Sequence, residues 1–199
     1  MPNSRLLKAL TIAAAALCAP SAWASGLEFD ALMKLLSQRT SGQARFVEER
    51  HVVGLDKPLR SAGRLTFEVP DRFGRHVETP KPESIEVEGQ TAVLRRGNRV
   101  RQVQLDTLPE LQSLVEAIRG TLSGNGNLLR QHFQVQLAGG REQWTLSLRP
   151  LDERALAQVS DLIIAGQQSE VRSIELRMGG GDRSVMTVDR PSPLVNPVR

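Results

Sequence analysis

Residues 63–73 read Gly63-Arg64-Leu65-Thr66-Phe67-Glu68-Val69-Pro70-Asp71-Arg72-Phe73. Leu65, Phe67 and Val69 alternate with Thr66 and Glu68, and Pro70-Asp71-Arg72 then supplies turn chemistry. Successive side chains on a strand point to opposite faces, so this period puts the apolar groups on one face and the polar groups on the other. The stretch therefore reads as an antiparallel strand, greasy on one side and wet on the other, ending in a tight turn.

The same alternation recurs along the chain. Ile85 and Val87 stand among Ser84, Glu86 and Glu88, and Val103 and Leu105 among Gln102 and Gln104. Trp144, Leu146 and Leu148 alternate with Thr145, Ser147 and Arg149, and Ile174, Leu176 and Met178 with Glu175 and Arg177. Turn residues such as Pro80-Lys81-Pro82, Glu88-Gly89-Gln90 and Arg96-Gly97-Asn98 divide these runs, which predicts about ten short strands. Gly179-Gly180-Gly181-Asp182 falls between two of them and reads as a hairpin turn. A phosphate cradle there would need a following Lys-Ser/Thr and a helix, and neither follows.

Two segments change period. In residues 27–40, Phe29, Leu32, Met33 and Leu36 follow helical spacing, with Ser41-Gly42 as the stop. In residues 109–122, Leu111, Leu114, Val115, Ile118 and Leu122 do the same behind Pro109, which suits a first helical turn. A further helical turn is expected over Leu128 to His132. A sheet of this many antiparallel strands twists, and the helices must bury their apolar stripes on its greasy face. The predicted fold is α+β and mainly antiparallel β: a curled, half-open barrel with helices covering the concave face.

Residues 1–24 have the layout of a secretory signal peptide: Arg5 and Lys8, an apolar run from Ala9 to Ala19, then Ala22-Trp23-Ala24 before a cut at Ala24–Ser25. The run is shorter than the ~20 residues that span a bilayer. Leu17 occupies the place where a small residue precedes a lipidated cysteine, so Cys18 does not read as a lipid anchor. The expected product is an exported, soluble, cysteine-free chain, with one domain over 25–190 and a loosely attached Pro-rich tail over 191–199.

The charge balance is 26 Lys+Arg against 22 Asp+Glu, and 24 against 22 once Arg5 and Lys8 leave with the leader. The sequence pI near 10.0 reflects the absence of Tyr and the scarcity of Lys more than a basic surface. Arginines interleave with glutamates, as in Glu48-Glu49-Arg50 and Glu175-Leu176-Arg177, which reads as a solvated face rather than a nucleic-acid track. The Arg95, Arg96, Arg99 and Arg101 group reads as the wet face and turn of a hairpin, with a membrane-proximal role as the alternative.

No catalytic constellation emerges. His51, His76 and His132 are far apart and form no metal motif, so no metal and no cofactor are expected. There is no G-x-S-x-G elbow. Glu48 and Glu49 point to opposite faces of a strand, and Asp152-Glu153 reads as a helix start before Arg154. The expectation is a protein that is not an enzyme.

From Phe46 to Val188 the order of features resembles the outer-membrane lipoprotein carriers of the LolA/LolB type, and especially their smaller LolA-related branch. The stretch 63–73 with His76-Val77 and Pro80 carries most of the resemblance. Further echoes are Ile85 to Gly89, the helix from Leu111 to Leu122 with Gly124 after it, Phe133, and Trp144 to Pro150. The resemblance implies a half-open barrel in the periplasm whose apolar interior shelters acyl chains under a helical lid. It also implies an acylated lipoprotein or lipid as cargo, an inner-membrane export complex as donor, an outer-membrane acceptor, and a monomeric carrier. Related proteins serve export systems for other lipids or lipid-linked pigments. The well-studied lipoprotein carriers of this type carry Arg immediately before the turn Pro and Trp shortly after it; here Val69 and Arg75 stand in those places, which implies a latch that differs or is absent.

On this reading Phe46, Leu65, Phe67, Val69, Ile85, Val87, Trp144, Leu146 and Leu148 line the hollow, and Leu114 and Ile118 face it from the lid helix. Ordinary core packing is the competing role for each. The competing function is a lipid-sensing or protein-binding module that regulates an envelope complex. A hydrolase would need a nucleophile that the sequence does not offer.

Overall fold

The computed structural model describes residues 28–193, so the signal-peptide segment and residues 194–199 lie outside the described region. Alternation becomes eleven strands in one sheet, one more than the count read above. They are β1 (Ser41–His51), β2 (Leu59–Glu68), β3 (Arg72–Thr79), β4 (Glu83–Glu88), β5 (Thr91–Arg96), β6 (Arg99–Gln104), β7 (Phe133–Gly140), β8 (Gln143–Pro150), β9 (Val159–Gln167), β10 (Glu170–Met178) and β11 (Arg183–Val188). Among the described residues four α-helices accompany them: α1 (Phe29–Leu36), α2 (Pro109–Leu122), α3 (Gly126–His132) and α4 (Glu153–Gln158).

Chain order explains the shape. The sheet runs β6-β5-β4-β3-β2-β1-β11-β10-β9-β8-β7, every neighbouring pair antiparallel. β1 sits in the middle, β2 to β6 step outward on one side, and β7 to β11 return from the far edge until Val188 pairs with Phe46. The two edges, β6 and β7, are not bonded to each other, so the sheet is curled but unclosed. The chain must cross from one edge to the other, and that crossing carries α2 and α3. Connectivity alone thus lays a helix over the open side.

Directly paired residues share a face. One inward row is Leu65, Arg75, Ile85, Leu94 and Arg101, and the next is Phe67, Phe73, Val87, Ala92 and Val103. Across the seam the inward set continues through Phe46, Met186, Ile174, Ile164 and Leu146. Gly63, opposite both Phe46 and Val77, is required here, because a Cβ at that position would strike the His76 backbone.

Local details depart from the sequence reading. α1 stops at Leu36, short of the expected residue 40, and β1 begins at Ser41. Ser41-Gly42 is therefore strand rather than stop, since Gly42 leaves room for the Phe67 ring, which a Cβ would meet at 2.8 Å. Leu105 begins a single 3-10 turn instead of extending β6, and is wholly buried there. α3 is capped by Asn125, whose side chain accepts from the Leu128 amide at 3.0 Å, and α4 by Asp152, which accepts from Ala155 at 2.9 Å. The start of the C-terminal stretch is fastened rather than loose: Gln43 and Ser192 exchange backbone hydrogen bonds of 2.9 and 2.7 Å. Among the described residues no helix is long and apolar enough to cross a membrane.

Candidate functional site

α2 lies over the concave face but does not fill it. Val115 and Ile118 are buried against the sheet, whereas Leu111, Leu114 and Leu122 are only partly covered. Two apolar crevices remain on either side of the line where Ile118 meets Leu65, Phe73 and Ile174, and all four residues line both. The first, towards the C-terminal end of α2, holds about 680 Å³ of empty space with its open mouth included. Ala44, Phe67, Ile164 and Val188 form its walls, and Arg39, Ser169 and Pro191 border it. The second, towards the N-terminal end, holds about 620 Å³ counted the same way. Ile85, Val87, Leu114 and Met186 line it, and Glu48, Arg75 and Ser184 form its polar end.

That polar end is a built cluster. The Arg75 guanidinium donates to Glu48 and lies 5.1 Å from the centroid of the Phe46 ring. Ser184 and Ser61 also donate to the Glu48 carboxylate, Ser61 at 3.1 Å. Burial acts to raise the Glu48 pKa, but the Arg75 charge and the hydrogen bonds from Ser184, Arg75 and Ser61 outweigh it, so the carboxyl titrates below its ordinary value of 4.5. Arg75 also stands 3.7 Å from Glu83. The alternation that put Leu65 and Ile85 inside put Arg75 between them.

α2 is tied to the sheet by one side-chain hydrogen bond among the described residues: Arg119 donates to the Gly89 carbonyl in the β4–β5 turn at 2.6 Å. Arg119 is itself held by Glu116 at 3.1 Å. Val69 stands just beyond β2, its amide donating to the Thr40 carbonyl at 2.8 Å. A third, shallower recess there is bordered by Val69, Phe67, Ile118 and Leu122. The buried hydroxyl of Thr121, on the wall of the first crevice, has no hydrogen-bond partner.

The proposed lining residues divide into groups. Leu65, Phe67, Ile85, Val87, Leu114 and Ile118 border the crevices, and Val69 borders only the shallow recess. Phe46 is buried beneath Arg75 in a small cluster with Val77, Met186 and Val188. Trp144, Leu146 and Leu148 do not border the crevices: they are fully buried among Leu32, Leu129, Phe133 and Leu162, because α1 and α3 fill that part of the concave face. Phe73, Ile174 and the Glu48–Arg75 pair join the site beyond the residues that the sequence assigns to it. The strand alternation around Ile174 carried part of that signal; the convergence of β1, β3 and β11 on Glu48 depends on pairing that local sequence does not encode. His51, His76 and His132 sit at the end of β1, in β3 and at the end of α3, and among the described residues no group of His, Cys, Asp and Glu is arranged to hold a metal ion.

Residues 21–188 match the model of the family described as outer membrane lipoprotein carrier protein LolA-like. Comparison with curated proteins gives no match. Among solved structures, the LolA superfamily protein NE2245 of Nitrosomonas europaea aligns at 9% identity over 83% of this chain and 93% of its own, with a TM-score of 0.49. A DUF1329 family protein from Desulfovibrio piger aligns at 10% identity over 85% and 92%, with a TM-score of 0.47. The Pseudomonas aeruginosa MucA/MucB complex aligns at 15% identity over 85% of this chain and 58% of that one, with a TM-score of 0.46.

Proposed function

We propose, from the premise that this chain belongs to the LolA-like family of outer membrane lipoprotein carrier proteins, that it is a soluble periplasmic carrier. It takes the acyl chains of a lipoprotein or lipid beneath α2 and passes them towards the outer membrane. The observation that carries this reading is the pair of apolar crevices between α2 and an unclosed sheet. Each methylene that enters gains about 0.8 kcal/mol.

A carrier must also release. The crevices are narrow, so a long guest enters by displacing α2 outward. The aliphatic contacts of Val115 and Ile118 resist that movement without fixing one geometry, and the Arg119–Gly89 hydrogen bond adds a latch in place of the one lost with Val69. Such a bond from a charged donor contributes about 1.5–3 kcal/mol net, little enough to break in each cycle. The donor is an inner-membrane export complex, the acceptor lies at the outer membrane, the carrier acts as a monomer, and it performs no catalysis.

Leu65→Glu tests the reading, because Leu65 lines both crevices. The variant keeps its circular dichroism spectrum and a cooperative melt but no longer binds a fluorescent acyl lipid, and the wild type hands that lipid to acceptor vesicles. Undiminished binding by the variant, or retention of the lipid by the wild type, refutes a carrier that works through this hollow.

A further inference from the structure

Arg39 borders the first crevice, and with two further arginines, which do not line it, it converges on one carboxylate. Glu170 Oε1 accepts from Arg39 at 2.9 Å, while Oε2 lies 3.7 Å from Arg172 and 4.0 Å from Arg190. The last two distances exceed a hydrogen bond, so the carboxylate leaves donors on both arginines unused. Among the described residues no other carboxylate lies within ion-pair distance of any of the three, which leaves a surplus of two positive charges. One nitrogen of Arg172, Nη1, is cut off from solvent without a hydrogen-bond partner. Arg39 borders the crevice directly, and Pro191, next in the chain to Arg190, lines it as well. Deeper in the wall, Thr121 is 1% exposed with its hydroxyl unpartnered.

Unused guanidinium donors beside an apolar slot favour one class of guest. Guanidinium forks match phosphate and carboxylate oxygens, and burying a donor without an acceptor is costly. We infer that the first crevice binds an acyl amphiphile with an anionic phosphate or carboxylate head, held by Arg39, Arg172 and Arg190 with its tail along Leu65, Phe67 and Ile118. An ester carbonyl carried down to the depth of Thr121 takes its hydroxyl. This rests on the carrier reading and narrows its cargo to charged lipids.

The test measures binding of the purified protein, at fixed ionic strength, to pyrene-labelled phosphatidic acid, a pyrene-labelled fatty acid, and pyrene-labelled diacylglycerol with the same chains as the phosphatidic acid. The wild type binds at least one anionic lipid about tenfold or more tighter than the diacylglycerol. Arg39→Gln/Arg172→Gln loses that preference while keeping its affinity for the diacylglycerol and its melting profile. Inorganic phosphate does not displace the bound lipid. Equal affinity for charged and neutral lipids, a preference that survives in the double variant, or displacement by inorganic phosphate overturns the inference and leaves the carrier reading standing. Binding of none of the three lipids overturns both.

Discussion

The two halves of the concave face are built from the same material and put to different uses. Under β7 to β9, α1 and α3 press Leu32, Leu36 and Leu129 onto Trp144, Leu146, Leu148 and Ile164, and the largest of these side chains are wholly excluded from solvent. Under β2 to β4 and the seam with β10 and β11, α2 is the main cover, with Leu36 of α1 reaching the first crevice, and Leu65, Phe73, Ile85 and Ile174 remain only partly buried. The strands of both halves carry the same apolar alternation. What differs is how completely the helices cover them: one half is filled throughout, the other keeps apolar crevices between buried clusters, with room for a guest. Hydrophobicity therefore does not mark a binding site in this chain; incomplete coverage does.

Removing a side chain from the filled half should bring the largest loss. Trp144 is fully buried, its indole nitrogen donates to the Gln168 carbonyl at 2.9 Å, and Gly166 leaves space for its ring. Trp144→Ala should cost about 3–5 kcal/mol, read as a shift in the urea midpoint. A loss below about 1 kcal/mol would erase the distinction between the halves.

The second effect sits at the polar end of the open half. Glu48→Gln keeps the shape but removes the charge that Arg75 faces, and should cost about 1–3 kcal/mol at neutral pH. The sign of its pH dependence follows from the lowered pKa of Glu48. A carboxyl whose folded pKa lies below its unfolded value stabilises fully above the unfolded value, and that contribution disappears as pH falls through the folded one. The gap between wild type and variant should thus be widest above the ordinary carboxylate value of 4.5 and close in more acid solution. Urea titrations at neutral and strongly acid pH measure it; a gap of equal size at both would show that the Glu48 charge does not stabilise the cluster.

Much of this contrast was legible locally and some was not. The alternation at Leu65 and Phe67 fixed both the strand and its inward face, and the spacing of Leu114 and Ile118 fixed the helix that covers them. The placement of Trp144, Leu146 and Leu148 escaped, because a strand's period tells which face a residue occupies and not how many helices cover that face. Arg75 escaped for the opposite reason. It stands out locally only as a departure from the family pattern, and its inward partner Glu48, with Ser61 and Ser184 donating to that carboxylate, emerges from pairing, through contacts that span separations of up to 136 residues. The arginines around Glu170 come from the segment between α1 and β1, from β10 and from beyond β11, so no local window contains them.

The smallest expected effect bears most directly on the comparison. Leucine-to-alanine changes in a filled core cost about 2–5 kcal/mol, since lost transfer energy is joined by the energy of a new cavity. Leu146, fully buried, should follow that rule. Leu65 already borders empty space on two sides of Ile118, so its truncation widens an existing hollow instead of opening one. Only part of the transfer term is lost, and Leu65→Ala should cost about 1 kcal/mol. It should also admit bulkier guests, because the two crevices meet at this residue. Measured side by side in urea, the ratio of the two losses reports how empty the open half is in solution. A Leu65→Ala loss as large as that of Leu146→Ala would mean that the hollow closes on itself when no guest is present, and the carrier would then have to open against its own packing at each loading.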